Sequence, residues 1–154
     1  MYKILFSLLP AVVIIAACSS TKQLKSTMVK QGIVGYVYET KGNQMPYPGM
    51  PPATASPVQT TIFIYEPTNI SQVQREGTSA FYKTVNTKQI DSVMTDSTGK
   101  FSVALPIGTY SLFVKINGKF YANSYNQKND INLYSVEDGK VTDAKITVSY
   151  AATF

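Results

Sequence analysis

Residues Thr95–Gly118 read TDSTGKFSVALPIGTYSLFVKING, and this stretch decides the class of fold. Asp96-Ser97-Thr98-Gly99 is a turn signal in which Gly99 can take the positive φ that other residues resist. Phe101, Val103 and Leu105 then alternate with Ser102 and Ala104, the period of a half-buried strand. Pro106-Ile107-Gly108 breaks that strand. Tyr110, Leu112, Val114 and Ile116 resume the alternation until Asn117-Gly118, a hairpin signal. Two strands and three turns in so short a run imply an antiparallel β protein.

The same period extends to both sides. Ile33, Gly35 and Val37 are expected to face the core, with Val34, Tyr36 and Tyr38 on the opposite face. Residues 42–57 hold Pro46, Pro48, Pro51, Pro52 and Pro57, so they read as an extended connector rather than a sheet strand. Val58–Tyr65 restores a strand, with Ile62 and Ile64 on one face and Phe63 and Tyr65 on the other. Residues 68–87 are polar, and Ile70–Gln74 offers at most a helical turn. In 88–94, Ile90, with Ser92 and Met94, is expected to face inward. Phe120–Tyr125 can pair back as a strand, Asn126–Asn132 reads as a polar loop, and Asp138-Gly139 as a turn between short strands. Ile146, Val148 and Tyr150 are expected to form the inward face of the last strand.

The pattern T-D-x-x-G-x-F at Thr95–Phe101, followed by L-P-x-G-x-Y at Leu105–Tyr110, resembles the carboxypeptidase regulatory-like domain. Gly32–Val37 is similar to that family's first strand, Thr61–Ile64 to its second, and Val136–Val148 to its last hairpin. The resemblance spans roughly residues 30–150 and implies a small antiparallel transthyretin-like (prealbumin-like) β-sandwich of about seven strands, of the kind found in Bacteroidetes envelope proteins. It implies no reaction, because one such fold hosts many roles.

The start of the chain points to the same compartment. Lys3 precedes a short apolar run, Ile4–Ala17, and Ile15-Ala16-Ala17-Cys18 resembles a bacterial lipobox. The expected organisation is a signal peptide over residues 1–17, a lipidated flexible tether over 18–30 and one β-sandwich domain over 31–154. Acyl chains on Cys18 would make membrane lipid its first partner, since each buried CH₂ contributes about 0.8 kcal/mol. The twelve residues Ser19–Lys30, a largely polar run, would reach at most about 40 Å. They lack an acidic cluster after Cys18, which favours the periplasmic face of the outer membrane over the cell surface. The formal net charge of +5 is scattered without a basic stripe, so nucleic acid is not an expected partner.

Composition narrows the chemistry. The chain has no histidine and one cysteine, which removes histidine-dependent triads, histidine metal sites and disulfides. Asp96 in its Asp-Ser-Thr-Gly setting reads as an Asx turn, since calcium loops supply several alternating carboxylates. The remaining carboxylates fall at expected turns and surface positions, so no catalytic residue, metal or cofactor is expected. The expected role is non-catalytic: structural, or binding an envelope protein. The alternative is a carbohydrate-binding module using an outward aromatic face of Tyr36, Tyr38, Phe63, Tyr65 and Phe113. Against that stands a cover, in which the 41–57 and 66–87 segments fold over those rings.

Overall fold

The computed structural model describes residues 29–45, 48–49 and 55–153. Cys18, the expected signal peptide, most of the expected tether and residues 46–47 and 50–54 of the proline-rich connector lie outside the described residues. Among the described residues, eleven strands form two sheets packed face to face. One sheet contains β1 (Gly32–Asn43), β2 (Ala55–Pro57), β7 (Lys100–Ala104) and β11 (Val141–Thr153). The other runs β4 (Val73–Arg75), β5 (Phe81–Val85), β9 (Lys119–Tyr121), β8 (Gly108–Ile116), β3 (Thr61–Tyr65), β6 (Gln89–Met94), with β10 (Leu133–Val136) also on β8.

Alternation explains the core between the sheets. Ile33, Val37, Phe101, Val103, Ala144, Ile146 and Val148 enter it from the first sheet. Ile62, Ile64, Tyr110, Leu112, Val114, Tyr121 and Val136 meet them from the second. Each large apolar side chain contributes about 1.5–3 kcal/mol on leaving water, so these rows hold the layers together. Tyr121 adds a polar tie, its hydroxyl accepting the Ser149 N–H of β11 at 3.0 Å.

Both long central strands change neighbours midway along one edge. β1 pairs with β7 over Gly32–Tyr36 and with β2 over Tyr38–Thr40. Between them, Val37 N–H donates to Gly99 O at 2.8 Å, and Val37 O accepts Val58 N–H at 3.0 Å. β8 pairs with β10 up to Ser111 and with β9 from Val114. Its gap is closed by Asn132, whose carbonyl accepts Leu112 N–H at 3.2 Å and whose Nδ2 donates to Leu112 O at 2.7 Å. Thr95 secures the crossing from β6 to β7: its hydroxyl donates to Val58 O and accepts Thr60 N–H, each at 2.7 Å.

The structure departs from the sequence reading in several places. The described residues form eleven strands rather than about seven, because short pieces such as β2, β4 and β10 extend the sheets. β1 and β11 run parallel, from Gly32 opposite Val141 to Asn43 opposite Thr153. They pass so closely that a Cβ on Gly35 would sit 1.9 Å from Ala144 O. The expected last hairpin is a crossover: the turn Glu137–Lys140 carries the chain from β10 in one sheet to β11 in the other. Ala55–Pro57, expected as connector, pairs with β1. On β6 it is Val93 that packs on the core, while Ile90, Ser92 and Met94 are exposed, Met94 by 58%. Pairing sets Val93 beside the inward Ile62 and Ser92 beside the outward Phe63, which fixes that orientation. Phe120–Tyr125 contributes only a three-residue strand, Lys119–Tyr121. Within the expected polar loop 126–132, Ile131 and Asn132 are buried. Tyr150 lies beyond a register shift between β1 and β11, is 43% exposed, and meets Phe81 and Tyr121 edge-on at the rim.

Gly99 supplies the first prediction. It has φ +76°, and a Cβ there would lie 2.4 Å from Val37 O. Gly99→Ala therefore combines left-handed strain with a backbone collision and should cost about 3 kcal/mol or more. Gly139→Ala, at φ +61° in open space, should cost only about 1–2 kcal/mol. Urea midpoints of the two variants check the difference, and equal shifts would contradict the role given to Gly99.

Candidate binding surfaces

All five outward aromatic residues do point away from the inter-sheet core, but they do not share one face. Tyr36 and Tyr38 stand on the outer side of the β7–β1–β11 layer. Phe63, Tyr65 and Phe113 stand on the outer side of the opposite sheet. The expectation of a single exposed face through these residues is therefore corrected.

The second group is a satellite core. Tyr65, Tyr82, Phe113, Ala122 and Ile131 are buried together, with Phe63, Ile70, Val73, Val85 and Phe120 packed around them. Phe113 is 0% exposed and meets Tyr65 at 5.6 Å and Tyr82 at 5.7 Å, ring centre to ring centre and edge-on. Such pairs add about 0.5–1.5 kcal/mol beyond area burial. The 66–87 segment supplies the cover, as the sequence had offered against a binding face. Asn69 caps the short 3-10 turn Ile70–Gln72 in a reciprocal capping box with Gln72. Thr68 N–H donates to Ser111 Oγ at 2.9 Å, and Thr68 O accepts Ile131 N–H at 2.8 Å. At the margin, Lys115 Nζ lies 4.8 Å from the Phe120 ring centre and 5.5 Å from that of Phe63, a cation–π contact.

Tyr82 is buried beneath this cover, its hydroxyl donating to Ala122 O at 3.3 Å and hydrogen-bonded to the Tyr125 hydroxyl. Burial, and next the Tyr125 hydroxyl, push its phenol well above the ordinary value.

Five of the nine carboxylates serve local structure. Asp96 Oδ1 accepts Thr98 N–H at 2.8 Å, the Thr98 hydroxyl at 2.7 Å and Lys100 N–H at 3.0 Å, the expected Asx turn. Those bonds, the Thr98 hydroxyl first, hold its pKa below the usual carboxylate range. Asp130 is lowered likewise by the Asn69 and Asn126 side-chain amides. Glu39, Glu76 and Glu137 pair with Lys41, Lys119 and Lys140 at 2.6–2.8 Å. No group of three or more Asp, Glu, His or Cys converges among the described residues. An open cleft of about 320 Å³ lies at one end of the sandwich, lined by Glu39, Lys41, Thr60, Lys115, Asn117 and Tyr150 among others.

Among the described residues, none roofs the outer side of β7–β1–β11. Tyr36 and Tyr38 stack at 5.9 Å with their planes 17° apart, and Tyr36 is 39% exposed. The register places Lys100 of β7 on one side of Tyr36 and Lys145 of β11 on the other. Thr147 and Pro57 flank Tyr38, and Asp143 and Ser102 flank Val34. Sequence reading missed both lysines: Lys100 precedes the inward Phe101 and so faces outward, but strand order is needed to bring it beside Tyr36. No family model, curated protein or solved structure matches this chain.

Two outcomes test this division of the aromatic residues. Phe113→Ala should cost about 3–5 kcal/mol, whereas Tyr36→Ala should remain within about 0.5 kcal/mol of the parent, both by chemical denaturation. Comparable losses would contradict the placement. The second concerns Tyr82. Its unfolded phenol ionises near ~10, while the folded phenol resists ionisation. Its contribution is therefore complete below that pH and is lost as pH rises through the folded value. Stability should fall above about pH 10, and Tyr82→Phe should make the fall shallower when denaturation midpoints are followed with pH. An unchanged slope would remove Tyr82 as the cause.

Proposed function

We propose that this chain is a lipid-anchored cell-envelope β-sandwich with a non-catalytic, structural or binding role, built in the manner of the carboxypeptidase regulatory-like domain. Acylated Cys18 holds it to the outer membrane on the periplasmic side. The observation that carries the reading is where the polar side chains are spent. Asp96 and Asp130 are turned into their own loops, and Glu39, Glu76 and Glu137 are paired with lysines. Ser111, Thr68 and Asn132 satisfy buried backbone groups. A general acid–base pair needs groups free to exchange protons with a substrate, and these are committed elsewhere. The outer side of β7–β1–β11 keeps two tyrosines and two lysines turned to solvent, and this is the contact surface.

A benzophenone amino acid at Ser102, on that outer side, should form adducts with an envelope macromolecule in intact cells. The same probe at Ser135, on β10, should give few. Cys18→Ser should release the protein from the membrane fraction and remove those adducts. Equal labelling from both positions, or membrane retention of the Cys18→Ser chain, would overturn the corresponding half of the reading.

A further inference from the structure

We propose that the Tyr36–Tyr38 pair, with Lys100 and Lys145, is a binding site for an acidic polysaccharide bearing carboxylates on its sugar rings. The inference rests on the reading of this chain as an envelope binding module and names what the outer side of β7–β1–β11 binds.

Geometry comes first. Two aromatic rings stacked within 17° of parallel on one strand form a low ridge rather than a socket, and Tyr36 is 39% exposed on it. The electron-rich faces of such rings attract the slightly positive C–H groups on a pyranose face. A buried aromatic anchor for a protein partner would ask for a pocket and a closed rim, and a sheet surface provides neither.

Charge selects the kind of sugar. Lys100 and Lys145 lie one strand to either side of Tyr36, so their backbones stand about 10 Å apart. A glycan crossing the three strands with one ring on Tyr36 therefore passes both cations. Neither lysine has an ion-pair partner among the described residues. Asp96, in the turn just before Lys100, directs its carboxylate to Thr98 and the Lys100 backbone instead. Asp143 sits two residues before Lys145, beside Val34. An anionic chain is repelled there, which biases it toward the Tyr38 and Thr147 end. Thr147 and Ser102 hydroxyls beside the tyrosine pair offer hydrogen bonds of the kind that sugar hydroxyls accept and return.

The full chain, solubilised in detergent, is titrated against alginate, against neutral dextran and against vesicles of anionic phospholipid. Saturable binding to alginate is expected, with dextran and vesicles at least about tenfold weaker, a gap of about 1.4 kcal/mol. Tyr36→Ala and the double variant Lys100→Gln/Lys145→Gln should each weaken alginate binding about tenfold or more. Lys83→Gln/Lys88→Gln, which removes the same charge from β5 and the β5–β6 connection of the other layer, should leave it unchanged. The three variants are solvent-exposed and should keep the parent denaturation midpoint. Absence of saturable alginate binding overturns the proposal. So does equal binding to vesicles, equal loss in the Lys83/Lys88 variant, or indifference to Tyr36→Ala, each of which would assign the effect to net charge. If alginate fails while adducts still form at position 102, the glycan is wrong and the binding module stands. If both fail, both readings fall.

Discussion

Backbone hydrogen bonding at two seams governs this fold. A strand that loses one neighbour and gains another leaves a residue with unpaired N–H and C=O groups, and leaving such groups buried costs about 1–3 kcal/mol each. In β1 that residue is Val37, and in β8 it is Leu112; both are fully buried. The chain meets the two demands differently. Val37 receives backbone alone, from Gly99 and Val58, so Gly99 must come close enough that a side chain has no room. Leu112 receives one residue twice, the carbonyl and side-chain amide of Asn132, held at φ +45°. Asparagine tolerates that left-handed conformation and brings a donor that glycine lacks.

The second seam ties the aromatic cover to the sheet. Asn132 follows Ile131, whose carbonyl accepts the Ser111 hydroxyl at 2.7 Å and whose N–H donates to Thr68. Thr68 in turn leads into the capped turn at Asn69. The residues that close the gap in β8 thus also set the lid over Tyr65, Tyr82 and Phe113. With one outer side roofed by its own chain, the β7–β1–β11 side is the sheet surface that the described residues leave uncovered, which is why the proposed contact is placed there.

Much of this was legible before the structure, wherever one physical signal sufficed. Period two identified the inward residues of β1, β7 and β8, because burial and pleat select the same positions. The Asx turn at Asp96 was legible because a single carboxylate can serve only its own backbone. Direction was not legible: alternation is identical in parallel and antiparallel strands, so β11 read as a hairpin partner instead of a parallel neighbour of β1. The face of β6 was misread because its large apolar residues, Ile90 and Met94, lie on the exposed side of an edge strand. The five aromatic residues illustrate the same limit. Their parity was readable, but the roof over three of them comes from 66–87, where a 3-10 turn and two short strands leave no sustained period. Lys100 and Lys145 lie 45 positions apart in sequence, and only the sheet order makes them flank one ring.

On the proposed reading, anchoring and recognition are linked through β1: the expected tether precedes Gly32 in sequence, and Tyr36 and Tyr38 follow on the strand. Two tyrosines and two lysines offer a small contact, and small exposed contacts give weak binding once ordering costs are met. A repeating polymer changes that arithmetic. Copies held in one membrane by acylated Cys18 would meet successive repeats of the same chain, so each later contact forms at high effective concentration and the combined affinity multiplies. The expected tether, up to about 40 Å when extended, would set how far neighbouring copies can be displaced and still engage. A weak contact on a short leash would thus suit the proposed holding of an envelope polymer, because retention would come from the number of contacts while each single contact stayed reversible.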